Sequence, residues 1–348
     1  MFTSFIAIVL AVVVLPCERR RVAMNSLLQR GIEVRLTRDP TRKQDVAALE
    51  DWEEPSWVTS LLHRYLPAAY LRSVKLVFVR KSHTQTETDF QEIARLGEVE
   101  GLIFFGEVEH PEYLKPLIDS DNIHGQLHFE RHKVNSESLR QLSRLKNVSR
   151  IFFDDATVSS EGLSHLVGME QLTTLRLKET GCGDDGLAQV ARMRNLSCLE
   201  LSELSITANG LEHLASLTQL KKLVVESIDS AQLAGLSKAL SGMKNLRELR
   251  LYDANAPLGL EAVADLPNLE RLNLSRATYN DASLVPLSRS KSLRSVELYD
   301  TPTTGAGVMH LLRIATLERV HGSRVQVSDE SMQQLKAKRP DVQFHCGR

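Results

Sequence analysis

Apolar residues return in this chain at a fixed beat. Val148-x-x-Ile151-x-Phe153, Leu172-x-x-Leu175-x-Leu177, Leu196-x-x-Leu199-x-Leu201 and Leu220-x-x-Leu223-x-Val225 start 24 residues apart. The last two apolar positions of each unit are separated by one residue, the alternation of a short strand with one buried face. Their first members form the series Val74, Leu102, Leu127, Ile151, Leu175, Leu199, Leu223, Leu249, Leu272, Val296 and Val320. After a first step of 28 residues, the steps run from 23 to 26. Behind each strand the spacing turns helical. Gly162-Leu163-x-x-Leu166, Gly186-Leu187-x-x-Val190, Gly210-Leu211-x-x-Leu214 and Gly307-Val308-x-x-Leu311 open such runs. Ser138-Leu139, Ser283-Leu284 and Ser331-Met332 stand at the equivalent place. Ser160, Asp184, Asp281 and Asp329 lie two residues ahead of four of these pairs and are expected as helix N-caps.

One strand and one helix cannot bury a core alone, so such units stack, each on its neighbours. The period and the L-x-x-L-x-L core are the signature of a leucine-rich repeat. The expected fold is α/β, a right-handed leucine-rich-repeat solenoid (a horseshoe) with a parallel concave sheet and helices on the convex side. Residues 70–348 would form about 11 repeats closed by a C-terminal cap strand. Two regions fall outside the beat. Residues 1–17 include the uncharged stretch Phe2–Leu15, read as a hydrophobic anchor or signal-like segment, short for a membrane span. Residues 18–69 read as an N-terminal cap with a helix over Val22–Arg30, a strand over Ile32–Leu36, and Trp52 and Trp57.

The unit resembles the cysteine-containing or GALA-type subclass of leucine-rich repeats, with Ala156, Thr180, Ala277 or Thr301 where that subclass carries cysteine or asparagine. The whole chain resembles bacterial, planctomycete-type, membrane-anchored leucine-rich-repeat proteins through Arg19–Arg21, Gly31–Leu36 and Trp52 with Trp57. The resemblance implies a protein-interaction scaffold rather than a chemistry. It implies a monomer tethered by its N-terminal segment on an unspecified side of the membrane, or a secreted or soluble protein if that segment is cleaved or vestigial. Substrate-recognition adaptors and structural envelope components are alternatives built on the same repeat.

Composition narrows the function classes. Apolar residues make up 42% and charged residues 25% of the chain, ordinary for a folded protein. The formal net charge is −1 with basic residues dispersed, which disfavours a nucleic-acid partner. Cys17, Cys182, Cys198 and Cys346 form no C-x-x-C pair, so neither zinc nor a disulfide framework is expected. No nucleophile elbow, phosphate loop or H-E-x-x-H occurs, so no enzyme and no cofactor is expected.

Function should then sit in the variable strand positions that face away from the core. One such column reads Lys75, Ile103, His128, Phe152, Arg176, Glu200, Val224, Arg250, Asn273, Glu297 and His321. The next reads Val77, Phe105, Glu130, Asp154, Lys178, Ser202, Glu226, Tyr252, Ser275, Tyr299 and Ser323. Val77, Ile103, Phe105 and Phe152 would give an apolar patch on this face, either exposed as a binding surface or covered by the N-terminal cap. Arg250, Tyr252, Glu297 and Tyr299 carry the side-chain types that dominate protein interfaces. Arg176 is expected to pair with Glu200 across strands and to take part in the same contact surface. The proposed partner-binding set is thus Ile103, Phe105, Phe152, Arg176, Arg250, Tyr252, Glu297 and Tyr299. His128-x-Glu130-x-His132, with Asp154 nearby, offers a second reading as a metal-binding or metal-assisted hydrolase site.

Overall fold

The computed structural model describes residues 15–30, 32–36, 74–79, 86–254, 259–323 and 325–347. Met1–Phe152 and Phe153–Arg348 form two compact units. The apolar stretch up to residue 14, Gly31, Trp52 and Trp57 lie outside the described residues. Among the described residues no helix is long and apolar enough to cross a membrane.

In the first unit a helix over Leu15–Gln29 precedes β1 (Glu33–Leu36), which pairs antiparallel with β2 (Val74–Val79). This helix includes most of the expected Val22–Arg30 helix. Strands β3 (Val99–Phe104) and β4 (Ile123–Glu130) then follow in parallel, and the division between the units falls within β5 (Val148–Asp154). In the second unit β6 (Thr174–Lys178), β7 (Cys198–Ser202), β8 (Lys222–Glu226), β9 (Glu248–Tyr252), β10 (Arg271–Ser275), β11 (Ser295–Glu297), β12 (Arg319–Ser323) and β13 (Gln343–Gly347) pair in chain order, all parallel. Leu175, Leu199, Leu223, Leu249, Leu272, Val296, Val320 and Phe344 share one register position. The fold is a leucine-rich-repeat solenoid.

Register corrects the phase of the first repeat. Val77, not Val74, stands beside Leu102, and Phe78 stands beside Ile103. Val77 is therefore a fully buried inner residue rather than an outward one. The longer first step in the apolar series came from choosing Val74, and the true step is one residue longer than the 24-residue period. The drift between Leu223 and Leu249 has a different origin. Helix Ser230–Leu240 spans 11 residues, against 7 for Asp184–Val190.

The core is the set of inner columns. Leu175, Leu199, Leu223, Leu249 and Leu274 have no exposed surface, and Phe104 stacks on Phe129 at 5.2 Å in the first unit. Burial of a leucine or phenylalanine side chain stabilises by roughly 1.5–3 kcal/mol, so the repeated columns supply most of the cohesion. Polar ladders fix the spacing between repeats of the second unit. Asn195, Asn245 and Asn268 each donate from Nδ2, at 2.9 Å, to a backbone oxygen of the preceding repeat (Glu170, Thr218 and Lys244).

Each strand of the second unit's central stretch ends in a left-handed residue: Glu179, Glu203, Ser227, Asp253, Arg276 and Asp300 have φ between 51° and 60°. For a non-glycine residue this costs about 1–2 kcal/mol. The cost is offset locally, because the amides of Glu179, Asp253, Arg276 and Asp300 donate to Ser202, Ser275, Tyr299 and Ser323 on the next repeat. The turn thus extends the ladder and is followed by a buried residue, as at Thr180, Ile228, Ala254, Ala277 and Thr301.

Three of the expected N-caps, Ser160, Asp184 and Asp329, are displaced by one residue, and Asp281 holds the N-cap position without a capping side-chain bond. Ser159 accepts from the Gly162 amide and Ser328 from the Ser331 amide, doing the work assigned to Ser160 and Asp329. Asp184 and Asp281 do something else. The two carboxylate oxygens of Asp184 accept from the amide (2.8 Å) and hydroxyl (2.6 Å) of Thr207, and those of Asp281 accept likewise from Thr304. Each aspartate clamps the next repeat, 23 residues on. Gly210 and Gly307 follow from this, since a Cβ there would lie 2.2 and 2.4 Å from the Asp184 and Asp281 Oδ1 atoms. The Gly of the Gly-Leu signal is a packing requirement.

Candidate functional site

Strand alternation puts every second residue of the second unit's strands on the helix-free face of the sheet. Three adjacent polar groups arise there. In the first, Glu200 on β7 accepts from Arg176 Nε on β6 at 2.8 Å and from Lys222 Nζ on β8 at 3.1 Å. Arg176 also reaches Asp154 at 3.6 Å. The expected Arg176–Glu200 pair is present, with Lys222 and Asp154 extending it. Burial pushes the Glu200 carboxyl up, but the bonds and charges of Arg176 and Lys222 outweigh it and hold the group below the ordinary carboxylate value.

The second group is centred on a residue absent from the sequence-level set. Glu248, with its side chain only 10% exposed, accepts from Arg250 Nε at 2.6 Å and from Arg271 Nε at 2.9 Å. Desolvation again works against the charge, and Arg271 with Arg250 overcomes it, so this carboxyl is also held low. Arg250 reaches the Tyr252 hydroxyl at 3.5 Å. The Arg276 guanidinium lies 5.5 Å from the Tyr252 ring centroid and pairs with Asp253 (2.7 Å) and Glu226 (3.2 Å). One half-buried tyrosine is therefore held between two arginines, Arg250 anchored by Glu248 on its own strand and Arg276 by Glu226 and Asp253 of the two preceding repeats. Such a guanidinium over an aromatic face contributes about 0.5–1 kcal/mol at an exposed site.

The third group joins Glu297 to Asn273, whose Oδ1 accepts from the Ser275 hydroxyl at 2.6 Å. Tyr299 lies two residues past β11, half-buried, its carbonyl taking the Arg276 amide at 2.7 Å. Of the expected set, Arg250 and Tyr252 come together, whereas Arg176 and Glu297 belong to different groups. Lys222, Glu248, Arg271 and Arg276 were missed. Lys222, Glu248 and Arg271 occupy the column one position before the inner pair, where charges alternate from repeat to repeat, a signal readable in sequence. Arg276 sits at the left-handed rim position, which periodicity alone does not place on this face.

In the first unit the outward column is aromatic. Phe78 stacks on Phe105 at 6.1 Å, and His128 meets Phe152 edge-on at 6.0 Å. The expected apolar patch is corrected at two of its members: Val77 is core, and Ile103 is only 7% exposed. Phe105 and Phe152 are half-buried.

The metal reading fails. Among the described residues no group of three His, Cys, Asp or Glu side chains could hold a metal ion, so His128, Glu130 and Asp154 do not form one. The expected alternation also stops short. Strand β4 ends at Glu130, Arg131 turns left-handed (φ 60°), and the His132 ring folds back so that Nδ1 lies 2.9 Å from the Glu130 carbonyl. Among the described residues, the Cys182 and Cys198 thiols are not activated either. Burial pushes Cys182 up to about 12 and Cys198 up to about 11.

No family model matches the chain, and no curated protein matches it. Among solved structures, an internalin (InlF) of Listeria monocytogenes is 16% identical over 82% of this chain and 92% of its own, with a TM-score of 0.45. A second, internalin C2 of the same organism, is 21% identical over 69% of this chain and 85% of its own, with a TM-score of 0.38. The mouse RP105/MD-1 complex gives 15% identity over 74% of this chain and 49% of that one, with a TM-score of 0.49.

Proposed function

We propose that this chain is a non-enzymatic binding module, and that the helix-free face of its second unit recognises a protein partner. The observation that carries the reading is the arginine–tyrosine group on β9 and β10. Arg250, Arg271 and Arg276 are held by Glu248, Asp253 and Glu226 around one half-buried tyrosine. Tyrosine and arginine dominate interface hot spots, and side chains already fixed in place lose little further entropy on binding. Arg250→Ala and Tyr252→Ala should each lower capture of a crosslinked partner from the native cell at least tenfold, with unchanged circular dichroism. Normal capture by both variants would remove the proposed site.

The finer assignments are part of the same proposal. The repeat is of the cysteine-containing or GALA type in its loop pattern, and the protein is a bacterial monomer tethered to a membrane through the apolar stretch Phe2–Leu15. Support comes from the absence of charge across that stretch and from Arg19–Arg21 directly after it. Fractionation of the full chain against a chain lacking residues 1–17 tests the tether: the shorter protein should leave the membrane pellet. Sedimentation of that shorter protein tests the monomer.

A further inference from the structure

The last two described strands carry a feature that the binding reading leaves unused. His321 on β12 and His345 on β13 share a register position, and their rings stack at 4.7 Å with 7° between planes. We propose that this stacked pair is a proton-operated latch, in which neutral imidazoles hold β13 against β12 and protonation in mild acid loosens it. The latch is a property of the β12–β13 joint and does not depend on the partner site.

Ring geometry is the first support. Parallel neutral imidazoles can stack as aromatic rings do, whereas two imidazolium ions at the same separation repel each other in a partly desolvated place. The surrounding charges do not cancel that repulsion. From β11, Glu297 faces His321 and favours its charged form, but one of its oxygens is already engaged by Asn273. On β12 itself Arg319 adds positive charge, and from β13 His345 faces His321 directly. Lys336, on the helix before β13, lines the same surface hollow as His345. Among the described groups that act on His321, Glu297 is thus opposed by Arg319 and His345.

The direction of the titration agrees. Desolvation, then His345, lower the His321 value below the ordinary 6.5, with Glu297 opposing. A group whose folded value is depressed in this way leaves the fold fully stable above its unfolded value. Stability is then lost as pH falls below about 6.5 and through the folded value. Glutamate and aspartate side chains ordinarily titrate lower, so the window between pH 7.5 and 5.5 leaves the carboxylates aside.

Amide hydrogen exchange on the full chain, expressed as protection factors at pH 7.5 and 5.5, reads the latch at residues 343–347. Protection there should fall roughly five- to tenfold at pH 5.5 while β7 and β8 keep theirs, a change of the size expected for one shifted group. H345F retains a stacking ring but no second imidazole and should lessen the fall, leaving the part that desolvation of His321 causes; H321F should abolish it. His345 is exposed, so H345F carries the test even if H321F misfolds. Unchanged protection in the wild-type chain, or an equal fall in H345F, would overturn the latch.

Discussion

The two units of this chain use one backbone rule and dress it differently. On the helix-free face of the first, the outward column carries Phe78, Ile103, His128 and Phe152, and two of these are buried. The same column in the second carries Arg176, Glu200, Val224, Arg250, Asn273, Glu297 and His321, mostly half-buried, with Arg176, Glu200 and Arg250 tied in ion pairs. The inner columns hardly differ. Cohesion is thus common property of the repeats, whereas the outward positions are free to become either more core or a wet charged surface.

That contrast can be broken most forcefully at the inner columns, where both units should respond alike. Phe104→Ala and Leu223→Ala remove fully buried side chains, one from each unit. Each should cost about 2–5 kcal/mol in urea unfolding. If only one of the two destabilised the protein, the shared-core half of the comparison would be wrong.

A sharper version moves to the outward column. Ile103→Ala should cost about 2–4 kcal/mol, because that residue is as buried as a core position. Val224→Ala, in the equivalent place of the second unit and half-buried, should cost under about 1 kcal/mol. Equal effects would erase the difference between the two faces.

Glu248 tests the charged face from within. Glu248→Gln keeps the shape but removes the charge that holds Arg250 and Arg271. Both arginines are 40% or more exposed and can rehydrate, so the loss should be about 1–2 kcal/mol rather than that of a buried pair. The pH sign follows from the lowered carboxyl value. Its stabilisation is present above the ordinary 4.5 and is lost as pH falls through the lower folded value. The wild-type protein should therefore lose more stability than Glu248→Gln between pH 5 and 3. Parallel curves would show that Glu248 does not hold the group.

Much of the scaffold was legible because strand alternation and a 24-residue period are direct consequences of backbone geometry. Leu175 and Leu177 lie on a strand as their alternation requires, and Arg176 does pair with Glu200. The failures are equally physical. Val74 and Val77 are both apolar, so only strand pairing could decide which faced Leu102. Asp184 and Asp281 looked like caps since aspartate suits that role, but their partners, Thr207 and Thr304, lie a full repeat away. His132 left its column at a left-handed Arg131, which no side-chain pattern announces. The site centred on Glu248 was missed because two columns were read as outward, while the column before them also lines the face.

The smallest expected effect lies on the helix side. Lys238 and Glu212 meet at 2.7 Å across neighbouring repeats, with the lysine side chain 69% exposed. By distance alone this contact rivals Arg250–Glu248. Its carboxylate, however, keeps 35% of its side-chain surface in water, against 10% for Glu248. Water therefore screens the pair and competes for both ions, and ordering a long lysine chain offsets most of what remains. Lys238→Ala should change unfolding free energy by under about 0.5 kcal/mol, and added salt should make no further difference. An effect near that of Glu248→Gln would mean that distance, rather than solvent exposure, ranks the ion pairs of this array.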